Sequence, residues 1–197
     1  MAIIDTRTSG VLSVIHAEGE DDPIDALRAF VASATGLPLQ MVRRRWLQKV
    51  GTRPPIETDW ASVGVTNVET KGTQTLSDHK GDLPIATSGY SRTESHQRLT
   101  VSAMFYGSHA STLADRFRDA CGFLQNAETL HRYGLTIQGV DENITQIPDF
   151  VFEQWCNRFE VKFFIGRKVV REYGVRDIAI APDVSIFTDK GELTNGS

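Results

Sequence analysis

The stretch LTVSAMFYGSHASTLADRFRDACGFLQ, Leu99 to Gln125, restricts the fold more than any other part of the chain. Leu99, Val101, Ala103 and Phe105 alternate with Thr100, Ser102, Met104 and Tyr106, the period of a strand with one buried face. Past Gly107 the period changes. Leu113, Phe117, Ala120, Cys121 and Leu124 recur at three- and four-residue spacing, while Asp115, Arg116, Arg118 and Asp119 fall on the opposite side. The expected class is α+β, a mostly antiparallel sheet covered by two main helices, with a long extended arm.

The second helix is announced near the N-terminus. Asp22 can cap free amides, Pro23 suits the first helical position and Asp25 adds negative charge to the first turn. Leu27, Phe30, Val31 and Ala34 share a face, and Gly36 and Pro38 end the helix. Strands are expected over Met41 to Gln48, over Asp59 to Val68, over Leu135 to Val140 and, longest of all, over Phe150 to Ile165. In that last strand Trp155, Phe159, Val161, Phe163 and Ile165 share a face. With Phe30, Phe105 and Phe117, the residues Trp155, Phe159 and Phe163 make up the candidate core. Val169 to Tyr173 reads as a continuation of that hairpin, and Val175 to Ile186 as a last strand.

Between Glu69 and Glu94 the composition turns to Gly, Ser, Thr, Asp and Lys. Ordinary connections run about 4–6 residues, so this segment reads as an exposed arm or long hairpin, ordered mainly against a partner. One α+β domain is expected over residues 1–197, with the arm at 69–94 and a frayed tail at 188–197.

The totals exclude several classes. A hydrophobic share of 40% with 23% charged residues is that of a globular chain rather than a disordered one. A net charge of -4 is unlike the basic footprint of a dedicated nucleic-acid binder. No apolar run approaches the roughly 20 residues that span a bilayer. The N-terminus lacks a basic region followed by an apolar one, so no secretory leader is expected.

Catalytic patterns are sparse. Ser108, His109 and Ser111 crowd the strand–helix turn, but no GxSxG elbow surrounds them, and hydroxyls near a helix start have a capping role. Cys121 with His131, or Cys156 with Asn157, could be cast as thiol-protease pieces. Both cysteines fall inside apolar elements without CxxC or Cys/His spacing and read as buried reduced thiols. Asp141, Glu142 and Asp149, near Asn143, do not match a calcium-loop pattern. GxGxxG, GxxxxGK[ST] and HExxH are absent from the sequence. No catalytic, cofactor-binding or metal-binding residue is assigned, and no cofactor is expected. Arg43, Arg44 and Arg45, with Lys49 and Arg53, form the one basic cluster, and their alternation on a strand divides them between two faces. Subunit contacts and a solvated face are the even alternatives there, with phosphate binding third. Arg43, Arg44 and Arg45 are the candidate interface residues of that strand, and Thr73, Leu76, Leu83, Ile85 and Tyr90 those of the arm.

The order of pieces resembles the neck or tail terminator proteins of tailed bacteriophages. The residues that carry the likeness are TVSAMFYGSHASTLADRFRDACGFLQ, then GLTIQGV, then Gln154-Trp155-Cys156-Asn157-Arg158-Phe159-Glu160-Val161-Lys162-Phe163, within a span from Asp22 to Ile165. The resemblance implies a non-enzymatic virion protein, assembled in the host cytoplasm, whose copies form a hexameric ring that caps the tail tube. The implied partners are further copies of itself, the tail tube protein, a head-completion, adaptor or collar protein, and as a further candidate a sheath protein. DNA would pass through without specific binding, and no membrane is involved. Another head–tail connector, collar or baseplate component is the alternative, and a small hydrolase using His109 or Cys121 the third reading.

Overall fold

The computed structural model describes residues 13–46, 52–80, 89–151 and 153–175. The tail at 188–197, the body of the strand expected over Val175 to Ile186, and the arm residues Leu83 and Ile85 lie outside them.

One strand organises the sheet. β9 (Arg158–Val175) pairs along its whole length with β4 (Gly89–Tyr106), in antiparallel register from Tyr106↔Arg158 to Gly89↔Val175. β4 in turn pairs with β3 (Trp60–Lys80) from Trp60↔Tyr106 to Lys80↔Gly89. The other edge of β9 is shared by three short strands: β6 (Thr145–Gln146), β5 (Leu135–Val140) and β1 (Val14–Glu18). β2 (Val42–Arg44) closes the far side, parallel to β3. The class is α+β, a large sheet antiparallel except at β2, with helices on one face.

Of the 69–94 segment, residues 69–80 and 89–94 are the outer parts of β3 and β4, paired antiparallel with each other. The pair does not stand alone, because Gly89 to Glu94 also pair with Val175 to Val170 of β9, and β1 flanks that part of β9. Val169 to Tyr173, read as continuing from the long strand before them, do so without a turn, as part of β9 itself. β3 carries register shifts between Val65 and Asn67 and between Lys71 and Thr75, and extra residues of this kind re-aim a strand without ending it.

The helices are α1 (Ile24–Thr35), α2 (Ala110–Cys121) and the short α3 (Leu124–His131). α1 begins and ends as its sequence requires. Asp22 Oδ1 accepts the Ile24 amide at 3.1 Å, and Gly36, at φ +77°, donates its N–H to Ala32 O. α2 stops at Gly122, so the expected apolar stripe loses its last member: Leu124 starts α3 and is 78% exposed.

Period-2 alternation puts Ala61, Val63, Leu99, Val101, Ala103, Phe105, Val161, Phe163 and Ile165 on the helix side, all buried. Leu27, Phe30 and Val31 of α1 and Leu113, Ala114 and Phe117 of α2 cover them. Phe117 is the hub. Its ring packs edge-on to Phe163 at 5.1 Å and Phe30 at 5.8 Å, and tilted to Phe105 at 5.7 Å. Phe159 packs at the margin of this core, half-buried.

Trp155 does not join it. The long strand expected from Phe150 divides into β7 (Asp149–Val151) and β8 (Gln154–Cys156), a small hairpin paired only with itself, before β9 begins at Arg158. Trp155 therefore packs across that hairpin on Phe150, at 5.0 Å, and is 72% exposed.

Truncating the two aromatics should separate their roles in denaturant unfolding. Phe117→Ala is expected to cost about 3–5 kcal/mol, and Trp155→Ala less than about 0.5 kcal/mol.

Candidate assembly surfaces

The strand–helix turn is held by tertiary capping. Asp59, just before β3, accepts the His109 amide at 2.9 Å through Oδ1, and its Oδ2 lies 2.8 Å from His109 Nδ1. Expected cap Ser111 is not used; a carboxylate brought in from fifty residues away serves the start of α2 instead. Gly107 makes room for it. Its φ is +105°, and a Cβ there would lie 2.5 Å from Asp59 Oδ1 and 2.6 Å from Thr58 O. Ser108 Oγ turns to the Glu57 carbonyl at 3.4 Å, so the Asp59–His109 pair has no hydroxyl in line with it among the described residues. Cys121 is buried on α2, and burial pushes its thiol up to about 12, which keeps it protonated at neutral pH. Among the described residues, three or more His, Cys, Asp or Glu side chains nowhere gather as a metal site. Nor is any helix among them long and apolar enough to cross a membrane.

The three consecutive arginines divide between faces and find partners within the chain. Arg44 binds Asp22 and Asp25, each at 2.7 Å, and ties β2 to the start of α1. Its hydrogen bond, then that of Arg28, holds the Asp25 carboxyl below its ordinary value. Arg43 and Arg45 reach the back of the sheet. Arg43 donates to Thr52 O at 2.7 Å and lies over the Trp60 ring. Trp60 stacks on Tyr106 at 4.0 Å, and Arg53 lies over Tyr106 from beyond, making a ladder of Arg43, Trp60, Tyr106 and Arg53. Arg45 donates to Ser102 Oγ at 2.8 Å and sits 3.5 Å from Glu160, to which Ser102 in turn donates at 2.5 Å. That network satisfies a buried carboxylate that sequence periodicity assigns to an outward face.

On the arm, Leu76 pairs with Thr93 and Tyr90 with His79 and Gly174, while Thr73 falls in the second register shift of β3. These candidates share one end of the sheet, far along β3 and β4 from Arg43, Arg44 and Arg45. The outer edge of β3 beyond Val63 has no strand partner among the described residues.

Several large apolar side chains stay uncovered, among them two groups that bring aromatic residues together. Phe123, Leu124 and Tyr133 flank α3 on the helix side. Phe150 and Trp155 crown the β7–β8 hairpin, which Asp149 fastens to Arg53 and Arg158 at 3.7 and 3.5 Å. Trp46, also exposed, lies against Gly64, where a Cβ would come within 2.5 Å of its ring.

The fold and these surfaces define a small α+β module built on one long sheet, with aromatic groups left open on separate sides. The family model for the phage neck terminator protein matches residues 21–191, and the chain belongs to that family, whose members are structural proteins of the phage neck. No curated protein matches the chain.

Removing the capping carboxylate with Asp59→Ala is expected to cost about 0.5–2 kcal/mol in chemical unfolding. Gly107→Ala should cost more, because it displaces the same carboxylate and strains the backbone. Thiol titration without denaturant at neutral pH should leave Cys121 unreacted; a fast-reacting Cys121 would revive the hydrolase reading.

Proposed function

We propose that this chain is a non-enzymatic component of the virion that assembles into a closed ring of identical subunits, hexameric as the resemblance implies. The ring caps the tail tube, stops its growth and joins it to the head-completion or collar proteins. The observation that carries this reading is the pair of uncovered aromatic groups on different sides of one small chain. Patches of this kind mark protein contacts, and two unlike patches on one subunit favour head-to-tail contacts that close into a ring.

Other features support it. The open outer edge of β3 along the arm suits strand addition by a neighbouring protein, with Thr73, Leu76, Leu83, Ile85 and Tyr90 as the residues in or beside that contact. Arg43, Arg44 and Arg45 are engaged within the chain, which fits a ring that lets DNA pass without gripping its phosphates. Assembly in the host cytoplasm and residence in the virion neck follow from the same reading.

Light scattering on the purified chain, alone and mixed with its tail tube protein, tests this. A mass of about six subunits is expected, alone or on the tube. A monomer in both conditions would overturn the ring. Replacing residues 75–93 by a short turn should leave a folded domain of lower association state. Unchanged assembly of that variant would remove the arm from the contact.

A further inference from the structure

The aromatics of the β7–β8 hairpin and a groove beside Tyr133 have complementary forms. Between α1 and α3 runs an open groove of about 230 Å³, lined by Ala26, Ala29, Phe30, Ser33, Leu130 and Tyr133 among others. Its floor is mostly small or apolar. An apolar cavity of about 150 Å³ holds a benzene ring in an engineered protein, so this groove has room for one aromatic side chain. On the opposite face of the sheet, the β7–β8 hairpin presents Trp155 and Phe150 as a single protrusion. The opposition follows from strand parity. Arg158 and Tyr106 point away from the helix-covered face occupied by Phe105, and Arg158 is one of the two anchors of the hairpin.

Charge follows the same division. Glu153 stands at the hairpin turn at φ +62°, exposed, and makes no ion pair with any described residue. Arg132 sits on the wall of the groove, exposed, and is likewise without a described carboxylate partner. An acid beside the protrusion thus matches a base beside the recess.

We infer that the Trp155–Phe150 protrusion of one copy seats in the α1–α3 groove of the next, with Glu153 against the neighbour's Arg132. The contact rests on the ring reading and names which surfaces meet. It is heterologous: each copy gives a knob on one face and receives one on the other. Trp and Arg are the residue types that most often anchor such contacts. The occupant is a second copy because one chain carries both halves of the complementarity, in shape and in sign.

Cross-linking distinguishes this from other arrangements. Gln154→Cys, beside the knob, and Ser33→Cys, in the groove, are both at exposed positions, whereas the natural Cys121 and Cys156 are buried. The double variant is treated with a short bismaleimide in whichever condition light scattering finds the chain associated, and at high concentration if it finds none. The expected product is a ladder of dimers, trimers and larger species, with neither single variant rising above wild type. Adding Trp155→Ala should cut the ladder by at least about tenfold, the loss expected for an aromatic anchor. Glu153→Arg should weaken it, and Arg132→Glu in the same chain should restore it.

Dimers from Gln154→Cys alone would mean that the knob meets its own kind, and would overturn the assignment. So would a ladder indifferent to Trp155→Ala. An associated chain that gives no ladder would overturn this contact while leaving the ring in place. A monomer with no ladder would overturn both.

Discussion

Phe117 is the interaction on which the remainder of the structure depends. Its ring touches Phe30 of α1, Phe105 of β4 and Phe163 of β9, so a single side chain joins two helices to the two central strands. The contact selects a register. Phe105 pairs with Phe159 and Val101 with Phe163, and a slip of one residue would turn Phe159, Val161, Phe163 and Ile165 to the back of the sheet. Once β4 and β9 are fixed over the ends near α2, pairing continues outward to Gly89 and Val175 with only Val169 and Val170 of β9 as buried apolar help. This is how a polar segment such as 89–98 remains in a sheet at all. Its backbone groups have partners on both sides, although few of its side chains contribute to a core.

Local signals account for the parts that were legible in the sequence. α1 is bounded by Asp22, Pro23 and Gly36, and its structure uses all three. The strand over Leu99 to Tyr106, the helix beginning just beyond Gly107 and the strand Leu135–Val140 follow equally from short-range periodicity. Burial of Phe30, Phe105, Phe117 and Phe163 follows from the same spacing. What escaped depends on groups distant in sequence. The start of α2 is capped by Asp59, which no window around Ser111 contains. Glu160 is buried although it alternates with Phe159 and Val161, because Arg45 and Ser102 meet it from β2 and β4. Periodicity describes which face a residue takes and is silent on what the fold lays over that face.

Trp155 shows the limit most sharply. It has the parity of Phe159 and Phe163, and a continuous strand would have buried it beside them. Asn157 stands between the strands, and the chain before it folds back as β7–β8, so parity is preserved in number but no longer refers to the same sheet. The same absence of a local signal hides the opposite error. The stretches expected over Phe150 to Ile165 and Val169 to Tyr173 end just before Gly166 and Gly174, yet β9 runs through both glycines because β4 supplies a partner for each residue.

The strand–turn–helix junction clarifies why a histidine, a serine and a carboxylate in proximity do not by themselves make a catalytic centre. Asp59 takes the His109 amide and ring together, and Ser108 donates to a backbone carbonyl. Each polar group there satisfies the end of an element, which is what a short connection between a buried strand and a covering helix demands. The arginines behave alike, since their guanidinium groups bridge β2 to α1, to Thr52 and to Ser102 and Glu160. With polar chemistry committed to holding the module together, the large apolar groups that the fold leaves uncovered are the ones the proposed contacts use. The proposed ring would gain from this division, because aromatic anchors add affinity through burial without competing for the hydrogen bonds that keep each subunit folded.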